Sequence, residues 1–257
     1  MPVASIFFGF LVLLFAGFVG CQLLGHHFAK RQRDKGAVPA KGTTAVQGSL
    51  FALLGLLIAF TISGAETRLQ NRRQLIVDEA NAIGTAYLRL DLLPEHAQPL
   101  LRDDFRRYVD ARLAFYADVL DLDRARAEHR RAAEMQDELW AHVVAAVGKT
   151  PDTRPALLLL PAVNEMFDVT TARDAALWTH VPIAIFVLLL ALAFACAFFA
   201  GTQMGRSDRP SMPHVIAFAA TLALTCYVIV NVEFPRIGFV QLGPIDALLG
   251  QVRQQMR

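Results

Sequence analysis

From Ser49 to Leu92 the chain contains no proline, and its character changes once within that stretch. It begins as the apolar run SLFALLGLLIAFTISGA, turns polar at Glu66-Thr67-Arg68, and continues as ETRLQNRRQLIVDEANAIGTAYLRLDLL up to Pro94. About twenty apolar residues suffice to cover the hydrocarbon core of a bilayer. The stretch therefore predicts one helix that crosses a membrane and projects beyond it, and the rest of the chain has to be arranged around that helix.

The composition agrees. With 54% hydrophobic residues and a mean hydropathy of +0.39 over 257 residues, the chain is too apolar for a soluble globule. Val3 to Leu24 carries no charge and predicts the first span. No basic region precedes it and no small-x-small site follows, so it is expected to be retained as an anchor. His26, His27, Lys30, Arg31, Arg33, Lys35 and Lys41, with Gly36, Pro39 and Gly42 among them, predict a basic loop leading to a second span at about 45–65. Trp178, in the place of an interfacial aromatic, opens a third span that runs to Ala200; a short loop with Arg206, Asp208 and Arg209 leads to a fourth, Pro213 to Val232.

The expected fold is all-α. Residues 1–65 hold spans one and two, 66–177 a helical extramembrane domain, 178–232 spans three and four, and 233–257 a tail with a short helix from Pro244. Within the domain, Leu69, Ile76, Ile83, Tyr87 and Leu90 recur at helical spacing. Leu101, Phe105, Tyr108, Leu113, Tyr116 and Leu120 form the stripe of a second helix, which Asp121 or Asp123 should end. A third, bounded by Gly148 and Pro151, should turn Met135, Leu139, Trp140 and Val143 inward, and a fourth starts near Pro155 and should break or kink at Pro161.

Enzyme chemistry finds no foothold. The chain has no G-x-S-x-G, P-loop, H-E-x-x-H or dinucleotide fingerprint, so no catalytic residue, metal site or cofactor is expected. Cys21, Cys196 and Cys226 lie in apolar segments and are expected to be buried as small hydrophobes. His26 and His27 are adjacent and diverge on a helix; His96, His129 and His142 fall on solvated faces. A net charge of +2, with arginines interspersed among acids, excludes a nucleic-acid partner. Gly9, Gly17, Gly20, Gly48 and Gly55 predict close helix packing in lipid.

Charge at the membrane boundary is the more informative feature. Glu66, Arg68, Arg72 and Arg73 lie where ionisable groups often line an ion path, and equally where snorkelling arginines anchor a helix through cross-helix ion pairs. Asp78, Glu79 and Asn81 share one turn and fit a solvated face, an inter-helix network or a subunit contact.

The run Leu56-Leu-Ile-Ala-Phe60 followed by Thr67-Arg68-Leu-Gln-Asn71-Arg72-Arg73 resembles the second transmembrane helix of the bestrophin ion channels. The chain as a whole is still more similar to the bacterial bestrophin-like membrane proteins, most specifically in EANAIGTAYLRLDLLP, and also in YVDARLAFY and Glu233-Phe-Pro-Arg-Ile-Gly-Phe. That resemblance implies a homo-oligomeric ion channel, a pentamer being one form it suggests. Ala52, Leu56 and Phe60 would line a hydrophobic neck, and Glu66, Arg68, Arg72 and Arg73 a charged collar. The partners expected are the lipid bilayer, further copies of the chain and ions, in an inner (plasma) membrane crossed several times. The alternative is a non-conducting membrane-anchored structural or signalling protein whose helical domain binds a partner. Orientation divides the two lines of reasoning: the resemblance puts the helical domain in the cytoplasm, whereas the basic short loops favour the reverse.

Overall fold

The computed structural model describes residues 2–36, 43–117, 122–150, 152–235 and 243–256. Pro39, Lys41, Gly42, Leu120, Asp121, Pro151 and the tail from Arg236 to Phe239, all used above, lie outside the described residues, as do the side chains of Tyr116, Asp123 and Arg206. Regular structure among the described residues is entirely helical. In chain order it comprises α1 (Pro2–Asp34), α2 (Thr43–Leu88) with a 3₁₀ turn at Arg89–Leu92, α3 (Gln98–Ala117), α4 (Leu122–Gly148) and α5 (Arg154–Trp178). Then follow α6 (Ile183–Gln203) with a 3₁₀ turn at Met204–Arg206, α7 (Met212–Glu233) and α8 (Gly243–Gln255). Among the described residues four stretches are long and apolar enough to cross a membrane: within α1, within α2, in the stretch ending with α6, and in α7. The chain divides into two compact units, residues 1–69 with 180–241, and residues 70–179 with 242–257.

In the first unit α1 packs along α6 and α7 around Leu14, Phe18, Leu189, Ala193, Cys196 and Ala223. The closest approach is made by glycine. A Cβ on Gly201 would sit 1.9 Å from the Gln22 carbonyl oxygen, and one on Gly25 would sit 2.1 Å from that of Phe198, so α1 and α6 touch backbone to backbone there. Of the glycines expected to serve this purpose, Gly17 meets the Phe194 ring at 3.0 Å, whereas Gly9, Gly20, Gly48 and Gly55 meet no packing partner among the described residues within 4 Å of such a Cβ.

The expected basic loop is shorter than predicted. Helix α1 continues through His26, His27, Lys30, Arg31 and Arg33 to Asp34, and the chain turns only at Gly36, whose φ is +72°. Basic side chains in the last turn suit the negative end of the helix dipole, which is why charge alone does not stop the helix. Gln22 is buried on this helix and donates to the Val215 carbonyl at 3.1 Å. The third span opens five residues later than expected, at Ile183, because Trp178 closes α5 and Pro182 cannot extend it. Cys196 and Cys226 are buried as expected, and Cys21 is half-buried.

The second unit is a helical cluster built on Ile83, Leu90, Phe105, Tyr108, Leu139 and Met166. All five residues of the predicted α2 stripe are buried, as are Leu101, Phe105 and Tyr108 of α3. On α4, Leu139 and Val143 are buried and Met135 is partly so, but Trp140 stays exposed at the rim with its ring 6.5 Å from Phe167. Pro161 does not break α5. The helix runs unbroken through it, held by buried Leu159, Ala162, Val163 and Met166, because tertiary packing outweighs one lost hydrogen bond. Helix α8 is tied to α3 by Arg253, whose Nε and Nη2 donate to the Asp110 carboxylate at 2.7 and 2.9 Å.

Candidate functional site

Along the first unit's part of α2 two faces differ. Leu54 is buried, with Leu50, Phe51, Leu57 and Ile58 packed against the same core. Ala52, Leu56 and Phe60, spaced by four and so stacked on one face, are all exposed, Leu56 by 53% and Phe60 by 67%. Ser63, Glu66 and Thr67 extend the uncovered face. The described helices of the first unit therefore leave this stripe without a covering.

The four charged residues that follow go separate ways. Glu66 is exposed. Arg68 turns to Glu233, the last residue of α7, donating from Nε at 3.0 Å and from Nη2 at 2.8 Å to Oε2. Glu233 is fully buried, and its Oε1 also accepts from the Val181 backbone N–H at 3.1 Å and lies 3.3 Å from His180 Nδ1. The His180 ring in turn lies 4.8 Å from that of Phe234. A carboxylate withdrawn from water needs such partners, since each unmet bond would cost a large part of its desolvation energy. Arg72 is buried and donates to the Ala176 and Thr179 carbonyls at 3.1 and 2.9 Å, closing the C-terminal end of α5. Arg73 is half-buried, and its Nε makes no hydrogen bond among the described residues.

The second unit holds another buried charge cluster. Glu79 accepts from Arg112 Nε at 2.8 Å and pairs with Arg173, and Arg112 continues as a two-pronged pair to Asp174 at 3.0 and 2.9 Å. Thr170 Oγ1 lies 3.5 Å from Glu79 and 2.9 Å from the Tyr108 hydroxyl. Burial pushes the Tyr108 phenol above the ordinary tyrosine range, and nearby Arg112 opposes the shift only in part. Of the three residues on that turn, Glu79 thus belongs to a network joining α2, α3 and α5; Asp78 accepts from Gln74 at 2.9 Å, and Asn81 is exposed.

Glu233 had a visible signal: it is the one acid at the end of an otherwise apolar span, where ionisable groups are costly and rarely idle. Arg112 had none, because it sits among Arg106, Arg107 and Asp110 on a helix whose charges look solvated. No group of three or more His, Cys, Asp or Glu side chains able to hold a metal ion occurs among the described residues.

A family model described as a Bestrophin-like domain matches residues 2–246. No curated protein matches the sequence. Among solved structures, a point variant of a bacterial bestrophin homologue from Klebsiella pneumoniae superposes with a TM-score of 0.68 at 17% identity, covering 96% of this chain and 97% of the homologue. A second crystal structure of a bestrophin homologue from that organism gives 0.67 at 16% identity, covering 95% and 96%. Likeness at that identity establishes the fold.

Proposed function

The chain belongs to the bestrophin-like family, and from that premise we propose that it is a membrane-embedded, homo-oligomeric ion channel whose constriction is built by α2. The observation that carries this reading is the uncovered stripe of Ala52, Leu56 and Phe60 on a helix whose other face is packed into the core. When copies of the chain gather with these stripes toward a common axis, Leu56 and Phe60 form an apolar ring that conducts when wetted and closes when dry. Glu66, exposed one turn and a half further on, sets the field at its mouth, while Arg68 is held back by Glu233. The bilayer, other copies of the chain and permeant ions are then the partners, and the plasma membrane is the site of action.

A non-conducting anchor is the second reading. It is favoured by the internal engagement of Arg68 and Arg72 and by the small Ala52 at the third stripe position. Mass measurement of the purified protein in detergent tests the first reading. A closed oligomer of several chains is expected, and a monomer would remove the pore.

A further inference from the structure

Away from the charge clusters, the second unit has a cavity of about 330 Å³ where the start of α3 meets the end of α4. Its apolar lining is formed by Leu100, Leu101, Ala145 and Ala146, of which Leu101 is almost completely buried and Leu100 is 55% exposed, so the cavity is open to one side. Its polar lining is one-sided: His96, His142, Lys149 and Thr150 contribute, and no acid does among the described residues. Thr150 Oγ1 is already engaged, donating to the Ala146 carbonyl at 2.9 Å. Lys149 and His96 make no hydrogen bond or ion pair among the described residues.

His142 is held in place. Asp104, buried behind it on α3, lies with Oδ2 2.7 Å from His142 Nδ1, and its other oxygen is paired to Arg107. This carboxylate fixes the ring through Nδ1 and leaves Nε2 as the atom with which His142 meets whatever enters the cavity; a carboxylate behind an imidazole is a common way to orient a ligand-binding histidine. A buried aspartate in this position is costly unless it has partners, so the arrangement is built rather than incidental.

We propose that this cavity binds a small organic monocarboxylate with an apolar body, of the size of benzoate. The ring or chain would lie on Leu100, Leu101 and the two alanines, and the carboxylate would accept from Lys149 Nζ, from His96, and from the Nε2–H of His142 as an imidazolium, whose Nδ1–H donates to Asp104. The volume is at the lower end for ligand pockets, which suits a ligand of that size. Lys149 in the lining disfavours a cation. The inference does not depend on conduction.

The test is ¹⁹F NMR of 4-fluorobenzoate titrated with the purified full-length protein in detergent, with 4-fluorobenzyl alcohol as a neutral control for partition into micelles. Saturable broadening of the carboxylate and not of the alcohol is expected. Lys149→Gln and His142→Gln should each weaken it about tenfold, as expected for one charge-assisted hydrogen bond. Lys149 is exposed, so its variant tests binding without disturbing the fold; a melting temperature equal to the parent's verifies this. Absence of saturable binding, identical behaviour of the alcohol, or unchanged affinity in Lys149→Gln would overturn the proposal.

Discussion

Arg112 lies almost wholly out of water between two carboxylates, and that makes it the residue whose loss should be felt most in the second unit. Truncating one member of a buried ion network leaves a charge without compensation, typically costing about 3–5 kcal/mol. Arg112→Ala should therefore lower the unfolding free energy of the protein by that order, measured by denaturant melts in detergent. Arg33→Ala, which removes an exposed, solvent-screened pair with Asp208, should leave the same melt almost unmoved. Equal effects would mean that the buried network contributes no more than a surface pair. Tyr108 offers an independent check on the same cluster. Its phenol is raised by burial, so the neutral form is favoured in the folded state. The stability it contributes is complete below the ordinary tyrosine pKa of about 10 and lost as pH climbs through the higher folded value. Followed by phenolate absorbance, Tyr108→Phe should delete amplitude from the high-pH end of the titration of the chain's four tyrosines. Loss from the normal range instead would show that the phenol reaches water.

The helices themselves were largely legible in the residue order, because periodicity reports which side chains avoid water. Leu69, Ile76, Ile83, Tyr87 and Leu90 were marked by spacing alone, and all are buried. What spacing cannot report is a polar residue buried with its partner: Glu79 and Arg112 obey the same rules as solvated charges until a third helix supplies Arg173 and Asp174. Proline and glycine misled for a related reason. Pro161 weakens a helix locally, but the core around Met166 holds it; Gly55 looks like a packing glycine, yet the close contacts fall on Gly25 and Gly201. Helix contacts depend on the partner's surface, which no single segment encodes. Gly201→Ala should accordingly separate α1 from α6 and destabilise the protein by about 1–3 kcal/mol or prevent its assembly, while Gly55→Ala leaves the melting temperature of the purified chain unchanged. The reverse pattern would place the tight interface elsewhere.

For the whole molecule, the long helix does two jobs that its composition separates. Its second part supplies the apolar stripe on which α3 and α5 assemble, and its first part keeps one face for the core and one uncovered. The fold and the family follow from the chain as a unit. The stripe of Ala52, Leu56 and Phe60 was singled out by resemblance, and all three side chains are exposed. A pore lined by Phe60 makes a demand that a lipid-facing Phe60 does not: shrinking the side chain must widen the path and ease wetting. The direct measurement is current through planar bilayers containing the purified protein and its Phe60→Ala variant. The channel reading predicts currents from the parent and a larger unitary conductance from the variant; a well-folded oligomer that passes no current in either form would contradict it.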